Sequence, residues 1–122
     1  MMTGSVRAGG QAFVTLRVAG PAGCATVEAL IDTGFAGSLA LPSRLIDELA
    51  LRQIDVGVAV LADERAVEVC LHECVVAWGG DEIVAIVVLL EGGPLVGMAL
   101  LRDHVLTMRV VEGGEATIVP LG

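Results

Sequence analysis

Apolar and polar residues alternate along 11–19: Val14, Leu16 and Val18 fall on one side, and Phe13, Thr15 and Arg17 on the other. A period of two is the mark of a half-buried strand. Gly20-Pro21-Ala22-Gly23 is turn chemistry, and 24–31 is again strand-like, so a hairpin is expected. A loop over 32–37 and a short strand over 38–41 follow. The period then changes. Leu41, Leu45 and Leu49 recur every four residues behind Pro42-Ser43. This predicts a short helix with one apolar stripe, capped by Ser43 and ending by Ala50.

Beyond it, 56–61 and 66–78 read as strands joined by the charged tip Ala62-Asp63-Glu64-Arg65, a second hairpin. Gly79-Gly80-Asp81 turns the chain into a strand over 82–90. Glu91-Gly92-Gly93-Pro94 is a loop, Leu95-Val96-Gly97 is another apolar approach to a glycine, and 98–103 is a short helix. Strands over 105–111 and 115–120 flank Gly113-Gly114. The small, Gly-rich residues 1–10 are expected to be flexible outside an interface. The sum is a mostly β chain with one or two short helices and a single domain over 11–122. Its two halves share one plan of hairpin, turn and helix.

Composition narrows the function. The chain has 122 residues, room for one domain, and is 55% hydrophobic, enough for a core and an oligomer interface. Its formal charge is −8, and all seven basic residues are Arg. Phosphate recognition needs clustered basic groups, so nucleic acid is not an expected partner. The longest apolar run, 83–90, falls far short of the roughly 20 residues of a membrane-spanning helix. No secretory pattern is visible, and three Cys make no disulfide framework, so a cytoplasmic protein with reduced thiols is expected.

Cys70, His72 and Cys74 share one side of a strand, but neighbours there are about 6.5–7 Å apart and one tetrahedral ion cannot gather them without bending it. Two half-buried thiols and a surface His are expected instead, with no metal and no cofactor. Cys24 is expected in the core, Trp78 in packing and His104 beside the end of a helix. Glu64, Asp81, Glu82 and Glu91 read as solvated turn acids. Gly34 to Gly37 lacks the length and the Lys of a phosphate loop.

The candidate chemistry sits in Ala29-Leu30-Ile31-Asp32-Thr33-Gly34. An acid at the end of a buried strand loses water, a cost tolerated where a site uses it. Gly34 permits a tight turn and Thr33 offers a hydroxyl. With Ile31 to Phe35 as a catalytic loop, Gly37 to Pro42 entering the first helix, a flap-like hairpin at Leu61-Ala62-Asp63, and Leu95 to Leu101 as a second apolar-Gly turn and helix, the chain resembles the retropepsin-like aspartic proteases. The likeness is to their small bacterial single-lobe members, and it spans most of 11–120.

The resemblance implies a closed β-barrel of the acid-protease fold, homodimeric, with interleaved termini. It implies an endopeptidase whose catalytic residues are Asp32, Thr33 and Gly34. Asp32 of each protomer would form a pair sharing one proton, one member activating water and the other donating to the scissile carbonyl. Phe35, Ala36, Leu61, Ala62, Asp63, Leu95 and Val96 would contact a peptide or protein substrate. Viral members carry a small residue and then an acid after the Gly, where this chain has Phe35 and Ala36, and their flap tips are richer in glycine. These departures motivate an alternative, a non-catalytic dimeric peptide- or protein-binding module on the same fold.

Overall fold

In the computed structural model, which describes residues 1–60 and 62–122, the alternating segments become strands and the four-residue repeat a helix. The order is β1 (Met2–Val6), β2 (Ala12–Gly20), β3 (Gly23–Ile31), β4 (Leu39–Leu41), α1 (Ser43–Glu48), β5 (Arg52–Val60), β6 (Ala66–Trp78), β7 (Asp81–Leu89), β8 (Leu95–Val96), α2 (Met98–Leu101), β9 (His104–Met108) and β10 (Glu115–Pro120).

β2 and β3 form the first hairpin, with Gly20 opposite Gly23 and Phe13 opposite Leu30. Val14, Leu16 and Val18 point inward and are fully buried, as their spacing requires. Six strands in the order β6-β7-β4-β8-β3-β2 close into a barrel where Val18 meets Val76 and Ala19 meets Val75. β5 extends beyond β6, and β1, β10 and β9 extend beyond β2. β2 serves both neighbours on one side, β1 at its start and β6 at its end.

The two halves interlock inside the barrel. β3 runs parallel to β8, pairing Leu30 with Leu95 and Ile31 with Val96, while β4 runs parallel to β7. β4 and β8 are antiparallel to each other. Leu39, Leu41, Val76, Val87, Val96 and Ile118 fill the centre with almost no exposed surface. Burial of each such side chain contributes about 1.5–3 kcal/mol. The fold is thus a closed mixed barrel with added strands and two short helices, consistent with the general acid-protease fold class. Among the described residues no helix is long and apolar enough to cross a membrane.

Several local expectations are corrected. Ser43 does not cap α1; Pro42 occupies that position without a side-chain bond. The cap comes from Glu91, whose carboxylate accepts the Ser43 N–H at 2.6 Å and its hydroxyl at 3.1 Å. An acid satisfies free N–H groups at a helix start and suits the dipole there. Glu91 is therefore more than a solvated turn acid. Residues 2–6, read as part of a flexible segment, form β1. The turn closed by Arg7 N–H to the Gln11 carbonyl, 2.9 Å, lays them between β2 and β10. Both terminal strands thus have two partners in their own chain.

Cys24 is exposed near the hairpin turn, not in the core, and the Arg17 guanidinium reaches its sulfur at 3.1 Å. His72 is buried, 7% exposed, because the period of two turns 72, 74, 76 and 78 all to the interior. Its Nδ1 has no hydrogen-bond partner among the described residues. Beside it, burial pushes the Cys74 thiol up to about 11.

Candidate active site

The loop over 32–37 lies where the two halves cross, and main-chain hydrogen bonds fix it. Asp32 N–H donates to Val96 at 2.9 Å, and Phe35 N–H donates to the Asp32 carbonyl at 3.1 Å. From the other half, Gly97 N–H reaches Ser38, Met98 N–H reaches Phe35 at 2.8 Å, and Ala99 N–H reaches Gly37. β8 and the start of α2 therefore grip both ends of the loop. Gly97 has to be glycine for this approach. A Cβ there would collide with the Gly37 carbonyl oxygen and lie 2.6 Å from that of Phe35.

Inside the loop the Asp32 side chain is half-buried. Its Oδ1 accepts the Gly34 N–H at 2.9 Å, which holds the carboxylate against the turn. Thr33 and Gly34 are exposed beside it. The Phe35 ring folds back over Gly37 and Gly97, within 2.8 Å of where side chains on those glycines would begin. Phe35 thus acts first as a packing element that closes the crossing.

Two hollows flank the loop. The larger, about 520 Å³, lies between Gly34 to Gly37 on one side and the β5–β6 hairpin on the other. Gly57 to Val60 of β5, Val69 and Leu71 of β6, and Val88 of β7 complete it. Its side chains are all hydrocarbon, and at that volume it is of ligand-site size. The smaller, about 340 Å³, opens on the other side between Thr33, Gly34 and Ala36 and the α2 residues Met98, Ala99 and Arg102. A third hollow outside the barrel, lined by Pro21, Val75, Val84 and the Arg52–Glu73 ion pair, includes no loop residue.

The expected site residues divide accordingly. Gly34, Phe35 and Ala36 meet the hairpin in the larger hollow, and Thr33 lines the smaller. Ala62 and Asp63 lie at the exposed tip, where Asp63 bonds Arg65 at 2.6 Å, and line neither hollow. Leu61 lies outside the described residues. Leu95 and Val96 belong to β8 and line neither hollow, Val96 being wholly buried in the core.

The walls that sequence reasoning missed are Gly57 to Val60, Val69, Leu71 and Val88. The signal was present as an apolar run from Val56 to Val60 with small residues at 57 and 59. Nothing local shows which side of a hairpin faces a loop 25 residues earlier. Among the described residues no group of three His, Cys, Asp or Glu side chains is placed to hold a metal ion. No protein-family model matches the chain, and no curated protein matches it either.

Proposed function

We propose that the chain is one half of a dimeric aspartic endopeptidase, completed by Asp32 of a second copy. The observation that carries this reading is the Asp32 loop itself. It holds a carboxylate braced by the Gly34 N–H, and the residues that follow it, Gly34 to Gly37, form one side of a hydrocarbon cleft faced by a β-hairpin. Two such carboxylates brought together hold one proton between them, because both cannot ionise at close range. The ionised member takes a proton from water as it attacks the peptide carbonyl, and the protonated member donates to the carbonyl oxygen. An extended peptide in the cleft would bond its main chain to the β5–β6 hairpin and seat apolar side chains against Val69, Leu71 and Val88.

The alternative is a binding module that uses the cleft without chemistry. It is favoured by the absence of an acid after Gly34, where Phe35 packs on the crossing instead. Peptide-mixture digests by the wild type and by Asp32→Asn, from about pH 3.5 to 7.5, separate the two. The endopeptidase reading expects cuts by the wild type that fall by about 10²-fold or more in the variant. Equal cutting by both proteins, or none by a verified dimer, overturns it.

A further inference from the structure

We propose that the smaller hollow beside the Asp32 loop is a carboxylate subsite, in which Arg102 selects peptides that carry an acid next to the apolar segment in the cleft. The proposal rests on the reading that the cleft takes a peptide, whether or not the peptide is then cut. Its own ground is an arginine whose charge nothing around it answers.

Four of the seven arginines, Arg7, Arg44, Arg52 and Arg65, pair with a carboxylate, and Arg17 donates to the Cys24 sulfur. Arg102 and Arg109 form no ion pair among the described residues. Arg109 nevertheless shares its hollow with Glu112 and Glu115. Arg44 likewise shares one with Glu28 and Glu48, and Arg52 with Glu73. The hollow of Arg102 differs, since its other walls are Thr33, Gly34, Ala36, Met98 and Ala99. Neither Asp103, next in sequence, nor Asp32 lines it. In a chain with 15 acids and 7 bases, this cation faces open space with no acid of its own to fill it.

Arg102 also stands on a fixed base. α2 begins with Met98 N–H on the Phe35 carbonyl at 2.8 Å and Ala99 N–H on that of Gly37 at 3.2 Å. At its end the Arg102 carbonyl lies 2.7 Å from Nδ1 of His104, and Nε2 of the same ring accepts the N–H of the buried Trp78 indole at 3.3 Å. The main chain of Arg102 is therefore tied to the barrel wall, and binding orders only its side chain.

The hollow can read the same peptide as the cleft. Gly34 and Ala36 line both, and neither carries more than a methyl group. A peptide crossing them from the cleft brings its next residues to Arg102 and to Thr33, whose hydroxyl can donate to an anion. The planar guanidinium takes a carboxylate through two parallel N–H bonds. The net charge of −8 opposes acidic ligands at long range, but at physiological salt charges beyond about 8 Å are screened, and the nearest cation decides. The same contact serves an Asp or Glu side chain or the carboxylate that ends a peptide.

Affinity selection on the immobilised full chain tests the subsite. The probe is a synthetic mixture of short peptides with apolar centres. Each is made with Asp or Glu and with Asn or Gln, and each with a free and an amidated C-terminus; retained peptides are identified by mass spectrometry. The wild type should retain carboxylate-bearing members about five- to tenfold over their neutral counterparts, less so in high salt. A preference lost on amidation assigns the subsite to a chain end, and one lost with Asn or Gln assigns it to a side chain. Arg102→Gln should equalise retention, Arg102→Lys should keep part of the preference, and Arg102→Glu should turn it toward Lys- and Arg-bearing peptides. Retention blind to carboxylates, no retention at all, or the same preference in Arg102→Gln overturns the subsite. Carboxylate-selective retention of peptides that the wild type never cuts keeps the subsite and removes the endopeptidase. Cutting by a wild type blind to carboxylates does the reverse.

Discussion

β5 and β9 stand at opposite ends of one strand order, and each has one side unpaired among the described residues. They are built differently. β5 carries Arg52 and Asp55, a break in register between Gln53 and Asp55, and Gly57. β9 carries no acid, Arg, Gly or proline and pairs without a break. Both also reach β6 through side chains, β5 in addition to its main-chain ladder with that strand. Arg52 of β5 meets Glu73 in an exposed ion pair at 2.8 Å. At the C-terminal end of β6, the Trp78 indole N–H donates to Nε2 of His104 at 3.3 Å, with the rings edge to face. The His104 Nδ1 lies 2.7 Å from the Arg102 carbonyl, which can only accept, so Nδ1 carries the proton and Nε2 is the acceptor. The edge beside the cleft is thus blunted and its side-chain tie to β6 is exposed, whereas the edge at the far end is plain and its side-chain tie to β6 uses a buried indole.

The largest expected effect sets two neighbouring residues of β9 against each other. Hydrogen bonds from Arg109 N–H to Glu115 and from Leu121 N–H to Asp103 bracket the β9–β10 pairing, so Thr107 N–H faces β10 and Met108 N–H the open side. Thr107→Pro therefore breaks the last hairpin and should cost about 2–4 kcal/mol in urea unfolding. Met108→Pro, one residue on, should leave monomer stability nearly unchanged. Similar losses for both would break the assignment of inward and outward residues, and with it the contrast between the edges.

The tie to β6 comes next. His104→Leu leaves the Trp78 N–H without its acceptor while the indole stays 6% exposed. A buried donor without a partner costs about 1–3 kcal/mol. Trp78→Phe in the same chain should recover part of that loss, because both partners are then apolar. A double-mutant cycle with a coupling energy indistinguishable from zero would leave β9 no better fastened than β5.

What the sequence shows of these edges follows from range. The period of two places Val14, Leu16 and Val18 inside, and the four-residue repeat places Leu41, Leu45 and Leu49, because local spacing decides both. The Asp32 loop is legible for the same reason: an apolar strand, an acid and a glycine are contiguous. Glu91 as the cap of α1 is not legible, since it lies 48 residues from Ser43 and depends on how β7 returns beside β4. The inward turn of His72 follows from the period, but one polar side chain among apolar neighbours reads more easily as surface. β1 is hidden because its small residues carry little apolar signal, and its partners come from both ends of the chain.

Between the two fastenings, Cys74 sits mid-strand on β6, and its thiol is pushed up to about 11 from an ordinary 9.0 by burial. From pH 9 upward the unfolded chain releases this proton while the folded chain keeps it, so stability falls as pH rises toward 11. The loss should be of order 1–2 kcal/mol. It belongs to the barrel wall and not to either edge. Thermal unfolding from pH 8 to about 11 should show a shallower decline in Cys74→Ala than in the wild type. An unchanged slope in the variant would place the alkaline loss elsewhere.

The smallest effect discriminates most finely. The Arg52 side chain is 72% exposed and that of Glu73 35%, so their ion pair is screened and its net worth is at most about 0.5–1 kcal/mol. Arg52→Ala should barely move the unfolding midpoint. Hydrogen exchange should still detect it, because local opening is read residue by residue. β5 amides facing β6 should exchange about two- to fivefold faster, matching that free energy, while β9 and β10 amides keep their rates. A global loss as large as that of His104→Leu would mean β5 is fastened as firmly as β9. The hairpin over the hydrocarbon cleft would then be a fixed wall, and a peptide would have to enter along the cleft from its open end.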